Sequence, residues 1–187
     1  MLDAREIVPE RPRPLRRNEY DRLVEDGLFA DERIELLEGV LVEMTPSGAT
    51  HADVVGRLTM ILAPALVGRA MVRVQSPLAI SDESEPEPDL AVVAVADYRR
   101  EHPRRALLVV EVAEASLRKD LGVKATAYAR AGIEEYWVVD LSTRTFHRHT
   151  DPTADGYTRV KMVGPGEILR PRAFPDLAVV VDDVLPR

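Results

Sequence analysis

A glutamate interrupts a segment that is otherwise purely apolar. The run Leu107–Ala113 has the composition of a buried strand, yet Glu111 lies near its end. A carboxylate in such a position destabilises a fold unless it is paired, hydrogen-bonded or bound to a metal ion. Glu111 therefore needs a chemical explanation before any other residue of the chain.

A second carboxylate lies where the preceding apolar run begins. Pro88–Asp89 leads into Leu90–Val95, and Lys124 follows downstream on a segment with helical periodicity. Two carboxylates at the ends of neighbouring strands, with a lysine close by, are the groups that metal-dependent phosphodiester hydrolysis requires. A divalent metal ion would neutralise the anionic phosphate and lower the pKa of a bound water.

Magnesium is the ion that suits these residues, with manganese as its substitute. It prefers oxygen ligands and keeps several waters, so one or two carboxylates suffice. Asp89 and Glu111 supply two, and the backbone carbonyl of Val112 could supply a third oxygen. Lys124 could orient or deprotonate the attacking water, or stabilise negative charge in the transition state. Glu35, in an apolar strand context, could bind a metal-bound water.

Each of these candidates also has a purely structural interpretation. Asp89 could end a loop by accepting backbone amides, as aspartate often does. Glu111 could be a buried ion-pair partner of Lys124 or of an arginine, and Lys124 could be a solvated helix residue. Glu35 alternates with Ile34 and Leu36 and could face water. Singly the signals are weak, and only their order on strand, strand and helix favours a catalytic site.

Histidines give weaker signals than the carboxylates. His147 and His149 share one face of a strand, but no third metal ligand is evident, so an exposed strand edge is the simpler interpretation. His51 could line the site or be an ordinary polar residue near a helix start. No glycine-rich phosphate loop and no Gly-x-Ser-x-Gly elbow occurs, which argues against nucleoside triphosphate chemistry and against a serine hydrolase.

The overall charge limits the classes of partner. A net charge of −7 over 187 residues argues against a protein that coats nucleic acid. Two local basic clusters remain, and a basic arm and a solvated loop are their simplest interpretations. The clusters comprise Arg11, Arg13, Arg16 and Arg17, and then Arg99, Arg100, Arg104 and Arg105. The chain contains no cysteine, which excludes disulfides and thiolate metal sites and fits a cytoplasmic protein.

The elements that must position these residues can be located from the apolar pattern. Residues 1–16 form an expected loose arm, and a single domain is expected over 17–187. The predicted order is a helix, a hairpin, a helix, strands, a helix and further strands. Their expected ranges are 18–26, 33–37 with 40–44, a helix capped by Ser47, 71–75, 90–95, 107–113, 120–131, 135–140, 143–149 with 157–163, and an apolar tail at 174–184.

This order predicts an α/β or α+β domain with a central mixed β-sheet flanked by helices, an N-terminal hairpin and C-terminal strands. The N-terminal segment has no secretory pattern, and no apolar run reaches the length of a membrane span. We therefore expect no membrane association.

The sequence resembles a bacterial restriction endonuclease family of the PD-(D/E)XK nuclease superfamily. The likeness spans roughly residues 17 to 185, and its last stretch is the most specific in order and spacing. The matching stretches are Arg33–Gly39, Ser47–His51, Pro88–Leu90, Leu108–Val112, Ser116, and Asp120–Lys124 through Tyr128–Ile133 to Glu135–Asp140.

The resemblance implies a restriction-endonuclease-like core and a divalent metal ion, magnesium above all, held by Asp89 and Glu111. Glu35 would be the helper acid. The superfamily pattern has a lysine two residues after the glutamate, where this chain has Ala113, so the lysine function would pass to Lys124. The resemblance further implies a DNA substrate, and many nucleases of this fold act as dimers, so a homodimer is expected.

A non-catalytic alternative stays open at this point. The chain could be a binding or oligomerisation module that has kept the nuclease fold. Hydrolysis of RNA or of another phosphoester is a further option. The first alternative would gain if Lys124 pointed away from Asp89 and Glu111, or if a buried arginine neutralised both carboxylates.

Overall fold

The computed structural model describes residues 13–185. The segment expected as a loose arm lies outside this range for residues 1–12. The helices are α1 (Arg17–Glu25), α2 (Ala49–Ala65), α3 (Leu117–Lys119), α4 (Ala125–Arg130) and α5 (Val181–Val184), and a π-helical turn (Asp120–Lys124) joins α3 to α4. The strands are β1 (Ile34–Leu37), β2 (Val40–Glu43), β3 (Met71–Val74), β4 (Leu90–Val93), β5 (Leu108–Ala113), β6 (Glu135–Asp140), β7 (Thr145–Thr153), β8 (Gly156–Val163), β9 (Ile168–Leu169) and β10 (Val179–Val180).

A six-stranded mixed sheet forms the centre of the fold, as predicted. Its strand order is β3-β4-β5-β6-β7-β8, and only the pair β5–β6 is parallel. A parallel pair needs a long crossover connection, and the helical segment from α3 to α4 supplies it. Strands β1 and β2 form a separate hairpin, and β9 pairs with β10 in a third small sheet.

The inner strands β4, β5 and β6 of the central sheet are buried on both faces, whereas the edge strands β3 and β8 are largely exposed. One face packs against α2 and the C-terminal segment, where Val110, Val112 and Trp137 join one apolar cluster. The other face packs against α4, where Val109 and Tyr128 join a second cluster. Because side chains alternate along a strand, Glu111 lies on the same face as Val109 and therefore points toward the α3–α4 side.

The helix boundaries differ slightly from the sequence prediction. Gly48, not Ser47, is the N-cap of α2, and the helix continues through Pro64 to Ala65. Pro64 has no N–H and therefore removes the backbone hydrogen bond that this position would otherwise donate, one residue before the helix ends. The crossover helix begins at Leu117, three residues earlier than the predicted start at Asp120.

The predicted exposed strand edge at His147 and His149 is wrong. Both residues lie on β7, which is an inner strand with β6 and β8 on its two sides. His149 is buried, and its ring lies 5.5 Å from that of Tyr136 between ring centroids. Burial lowers the pKa of His149 to about 4, so its imidazole is neutral at neutral pH.

The N-terminal hairpin is fixed to the body of the protein by main-chain bonds. Leu36 pairs with Glu85 in an isolated bridge, and Leu15 donates from its N–H to the Gly39 carbonyl at 3.0 Å. Glu38 and Gly39 both have positive φ, at 49° and 76°, as the tight turn between β1 and β2 requires. Within residues 13–185, no helix combines the length and the apolar character needed to cross a membrane.

Candidate active site

Two carboxylates meet where β4 and β5 separate. The antiparallel ladder between these strands ends at the pair Leu90–Val110. Continuing the register by one residue sets Asp89 opposite Glu111, on the sheet face that the α3–α4 segment covers. Both residues are buried, with exposed fractions of 8% and 5%. The strand register therefore places the two predicted metal ligands side by side.

The carboxylate of Asp89 is held by three donors. Its Oδ2 atom accepts from the Val112 N–H at 2.8 Å and lies 3.0 Å from Nε2 of His51. Its Oδ1 atom has only a weak contact, 3.4 Å from Nε2 of Gln75. The bond from Val112 replaces the next rung of the β4–β5 ladder. Asp89 is thus oriented firmly through one oxygen, while its other oxygen remains available to a ligand.

His51 belongs to this site although its sequence context gave little indication of it. It lies in the first turn of α2, is 9% exposed, and contacts Asp89 across 38 residues of sequence. The hydrogen bond to Asp89 raises the pKa of His51, more than its partial burial lowers it. A histidine bonded in this way fixes the carboxylate orientation, as outer groups do around metal sites.

Glu111 receives two donors on the same oxygen. Its Oε1 atom lies 2.8 Å from Nζ of Lys124 and 3.0 Å from the hydroxyl of Tyr128. Burial raises the pKa of Glu111 to about 8, and the Lys124 charge offsets this only in part. Among the described residues, its Oε2 atom accepts no hydrogen bond, which leaves that oxygen available at the cavity.

Lys124 bridges Glu111 to the N-terminal hairpin. Its Nζ atom also lies 2.9 Å from Oε2 of Glu35, which is fully buried on β1. Glu35 has a second cation, because Nζ of Lys119 lies 2.8 Å from its Oε1 atom. Burial by itself favours the neutral forms of Glu35 and Lys124, but the attraction between the carboxylates and the ammonium groups is stronger. The pKa of Glu35 therefore falls below its usual value, and the pKa of Lys124 rises above its usual value.

A π-helical turn aligns the residues that reach the site from the crossover helix. In an α-helix, residues four apart overshoot a full turn by about 40°, so the two steps from Asp120 to Tyr128 would drift by roughly 80°. The wider turn Asp120–Lys124 reduces this drift. As a result Asp120, Lys124 and Tyr128 are all turned inward, with exposed fractions of 1%, 2% and 0%.

Asp120 is a third acid at this site. Its Oδ2 atom accepts from the Ser116 hydroxyl, while its Oδ1 atom is buried and has no hydrogen-bond partner within residues 13–185. Burial raises the pKa of Asp120 above its usual value. The sequence offered a signal for this residue, since Ser116, Asp120, Lys124 and Tyr128 recur at intervals of four.

These side chains surround a small cavity of about 160 Å³. Asp89, Glu111 and Val112 line its floor, and Asp120, Lys119 and Lys124 line the side that the helix provides. Lys119 is 28% exposed in its side chain, whereas Lys124 is 2% exposed. Of the two lysines, Lys119 is therefore the accessible one and Lys124 is internal; Arg33, which is 44% exposed in its side chain, also lines the cavity.

The donor set fits a hard divalent cation. Asp89 and Glu111 each keep one carboxylate oxygen with no close hydrogen-bond donor, and Val112 lines the same cavity. Carboxylate and carbonyl oxygens are the ligands that magnesium prefers, with waters completing its shell. Across residues 13–185, no three His, Asp or Glu side chains form a ready-made metal cluster. With two carboxylates and one carbonyl as ligands, water would complete the shell of such an ion.

All four residues singled out for catalysis from the sequence come together in space. Glu35, Glu111 and Lys124 are joined by direct contacts, and Asp89 lies beside Glu111 in the sheet register. Glu35 does not face water, although its alternation with Ile34 and Leu36 allowed that interpretation. The sequence reasoning left out Lys119 and Asp120, and it did not decide between the two interpretations of His51.

Comparisons with known proteins give one family and one similar fold. The family model named Uma2 and described as "Putative restriction endonuclease" matches residues 17–182. A crystal structure described as a putative nuclease belonging to DUF820, from Anabaena variabilis, is similar to this chain with a TM-score of 0.74. The two chains are 12% identical over 91% of this chain and 97% of that one, a likeness that shows the fold alone. None of the curated proteins compared with the chain matches it.

Proposed function

Because this chain belongs to the Uma2 restriction endonuclease family, we propose that it is a metal-dependent endonuclease that hydrolyses phosphodiester bonds in DNA. Membership of the family supports nuclease activity in general. The metal and the residue functions are argued from the geometry of the site, and the DNA substrate is argued from the description of the family. One observation carries the proposal: carboxylates from two neighbouring strands, Asp89 and Glu111, line one cavity together with the buried ammonium of Lys124.

Asp89, Glu111 and the Val112 carbonyl would hold the cation, which is magnesium or, as a substitute, manganese. When bound, such an ion supplies charge neutralisation at the phosphate and acidifies a water molecule. His51 and the Val112 N–H keep the Asp89 carboxylate in one orientation. Tyr128 does the same for Glu111 through its hydroxyl.

The two lysines have different functions in this proposal. Lys124 contacts two carboxylates, which keep it protonated, so it supplies positive charge and is not a base. Lys119 lines the cavity with a partly exposed side chain and can reach an incoming phosphate oxygen. Glu35 anchors both ammonium groups and is the helper acid of the site. Electrostatic stabilisation by such fixed charges is a large part of catalysis on phosphates.

Cleavage of supercoiled plasmid in the presence of magnesium tests the proposal. We expect nicked and linear products from the native protein, and their loss in Asp89→Asn and Glu111→Gln. Asp176→Asn is the matched control, because this exposed carboxylate pairs with Arg69 away from the cavity. Circular dichroism must show that all variants remain folded. Absence of cleavage by the native protein with magnesium and with manganese, on double-stranded and single-stranded DNA, would refute the proposal.

The contacts of Lys124 do not favour a catalytically silent binding module. This residue points at Glu111, and no arginine within residues 13–185 hydrogen-bonds to Asp89 or Glu111. We further propose that the enzyme acts in the cytoplasm as a homodimer, since two copies of one site can address the two strands of a duplex. Sedimentation of the purified protein tests the dimer.

A further inference from the structure

Arg33 is a cation at the candidate active site that has no function in the endonuclease proposed above. It directly precedes β1 and lines the cavity. Its carbonyl accepts a hydrogen bond from the Met44 N–H at 2.8 Å, which fixes its backbone across the hairpin. Its side chain is 44% exposed, so a ligand in solvent can reach the guanidinium. Arg33 therefore holds an accessible positive charge at a fixed position of the cavity.

The ion-pair partner of Arg33 differs from those of the two lysines in the cavity. Lys119 and Lys124 both contact Glu35, which is fully buried. Arg33 instead pairs with Glu87, a partly exposed acid that lines the same cavity. Water and salt can replace an ion pair near solvent at little cost, whereas separating a buried pair costs far more. Of these three cations, Arg33 can therefore change its partner most easily.

Glu87 is an anion held beside the expected metal ligands. Its N–H donates to Oε2 of Glu35 at 3.2 Å, and Pro88 and Asp89 follow it directly in the chain. Proline restricts its own backbone and that of the residue before it, so the position of Glu87 is well defined. A carboxylate and a phosphate both present a pair of oxygens that the guanidinium fork can bind. Glu87 thus contacts Arg33 in the way that a phosphate could.

Arg33 also lies where the active-site cavity meets a wider one. The active-site cavity, of about 160 Å³, is smaller than most sites for small organic ligands, so it can hold the reacting phosphate and little more of a strand. A cavity of about 810 Å³ adjoins it. The two share Arg33, Met44, Pro46, Ser47 and Gln75 in their linings. A strand that leaves the metal site through the wider cavity would therefore pass the guanidinium of Arg33.

We propose that Arg33 binds a phosphate of the substrate strand next to the one that is cleaved, and that Glu87 competes with this phosphate for Arg33. Arg33 is thus a substrate-binding residue, and Glu87 weakens binding until a phosphate displaces it. A guanidinium stays protonated at physiological pH, so the exchange of partners needs no proton transfer. The inference rests on the proposed endonuclease function, because it assigns a further contact to the same site.

Fluorescence anisotropy of a labelled DNA duplex, and of its single strand, tests the function of Arg33. Calcium replaces magnesium because it binds the same oxygen ligands, and a gel shows that the DNA stays intact. Arg33→Gln should weaken binding at least about tenfold, as the loss of a charge-assisted contact implies. It should also reduce the slope of log affinity against log salt by about one. Arg69→Gln is the matched control with unchanged affinity and slope, since this arginine pairs with Asp176 away from the cavity.

Glu87→Gln tests the competition and should tighten DNA binding severalfold. Glu114→Gln is its matched control, because Glu114 also lines the cavity, lies beside Gly48 and forms no salt bridge within residues 13–185. Both variants remove one negative charge, so the gain from Glu87→Gln should exceed the gain from Glu114→Gln. In the Arg33→Gln background, the gain from Glu87→Gln should shrink to that of the control, as a double-mutant cycle reports.

A conservative variant keeps the test valid if Arg33→Gln does not fold. Arg33→Lys retains the charge without the fork, so it should keep the native salt slope and bind DNA more weakly than the native protein. Native affinity and native slope in Arg33→Gln, or native affinity in Arg33→Lys, would overturn the assignment of Arg33. Equal gains from Glu87→Gln and Glu114→Gln would overturn the competition, and a native protein that binds no DNA would overturn both.

The outcome is separable from that of the proposed endonuclease, because binding is measured without cleavage. A protein that binds DNA through Arg33 but never cleaves it would refute the endonuclease alone. A native protein that cleaves plasmid, with an Arg33→Gln variant that binds and cleaves DNA equally well, would refute the function of Arg33 alone.

Discussion

Replacement of Lys124 by methionine is the most informative perturbation of the candidate site. Methionine fills nearly the same volume, so the change removes a charge and leaves little void. Nζ of Lys124 lies 2.8 Å from Glu111 and 2.9 Å from Glu35, and its side chain is 2% exposed. The variant therefore leaves two buried acids with fewer partners. Glu35 keeps Lys119 and the N–H of Glu87, whereas Glu111 keeps, among residues 13–185, only the hydroxyl of Tyr128.

The expected loss follows from the cost of breaking a buried ion pair. Removing one partner of such a pair destabilises a protein by about 3–5 kcal/mol. A domain of this size has a free energy of unfolding on the order of 5–15 kcal/mol. Lys124→Met should therefore lose a large part of its stability at pH 8 and remain folded. Lys119→Met is the matched control, with an expected loss of about 1 kcal/mol, since water can reach the partly exposed side chain of Lys119 and its partner.

The loss should depend on pH in a defined direction. Without Lys124, the folded-state pKa values of Glu35 and Glu111 both rise, so the folded variant holds protons that its unfolded chain releases. Its free energy of unfolding then falls more steeply with rising pH than that of the native protein, from about pH 4.5 upward. Urea denaturation at pH 5 and pH 8 should show a smaller loss at pH 5, where the acids can take up protons.

A double variant isolates the cause of this loss. Lys124→Met with Glu111→Gln removes the acid that was left without a cation, and it should recover at least half of the stability lost at pH 8. Equal losses at pH 5 and pH 8, together with no recovery in the double variant, would show that buried charge is not the source of the effect.

Other variants probe the neighbouring groups. Burial raises the pKa of Glu85 to about 7, so the free energy of unfolding of the native protein should fall as pH rises from about 4.5 to 7. Urea denaturation of Glu85→Gln should not show this decline, and at pH 8 the variant should be more stable than the native protein by on the order of 1–3 kcal/mol. His51→Ala should weaken manganese binding by about 10–100-fold in calorimetry, because Asp89 loses the side chain that orients its carboxylate. An unchanged affinity for manganese would contradict an orienting function of His51. Tyr128→Phe removes the hydroxyl that donates to Glu111 and should cost about 1–2 kcal/mol by urea denaturation, with no loss expected if the bond is not formed.

Local sequence patterns predicted most of the elements correctly. The apolar runs of β4, β5 and β6 and the helical stripe of α2 are strong signals, because burial selects residue types at fixed intervals. The boundaries were less certain, as the earlier start of the crossover helix at Leu117 shows. His149 was misjudged although its strand pairing was expected, because its burial depends on the rings of Tyr136 on β6 and Tyr157 on β8, which no local pattern places beside it.

Some features of the candidate site could likewise be predicted from the sequence, and others depend on the tertiary structure. The sequence by itself determined that Glu111 is an acid within a buried strand, and that Asp89 and Lys124 are available on neighbouring elements. Only the tertiary structure decided that His51 contacts Asp89, that Lys119 shares Glu35 with Lys124, and that two arginine clusters meet around Glu85. The physical reason is that periodicity reports which side of its own element a residue occupies. Which residues meet across elements depends on strand register, on the π-helical turn and on how the layers pack, and no local pattern encodes these.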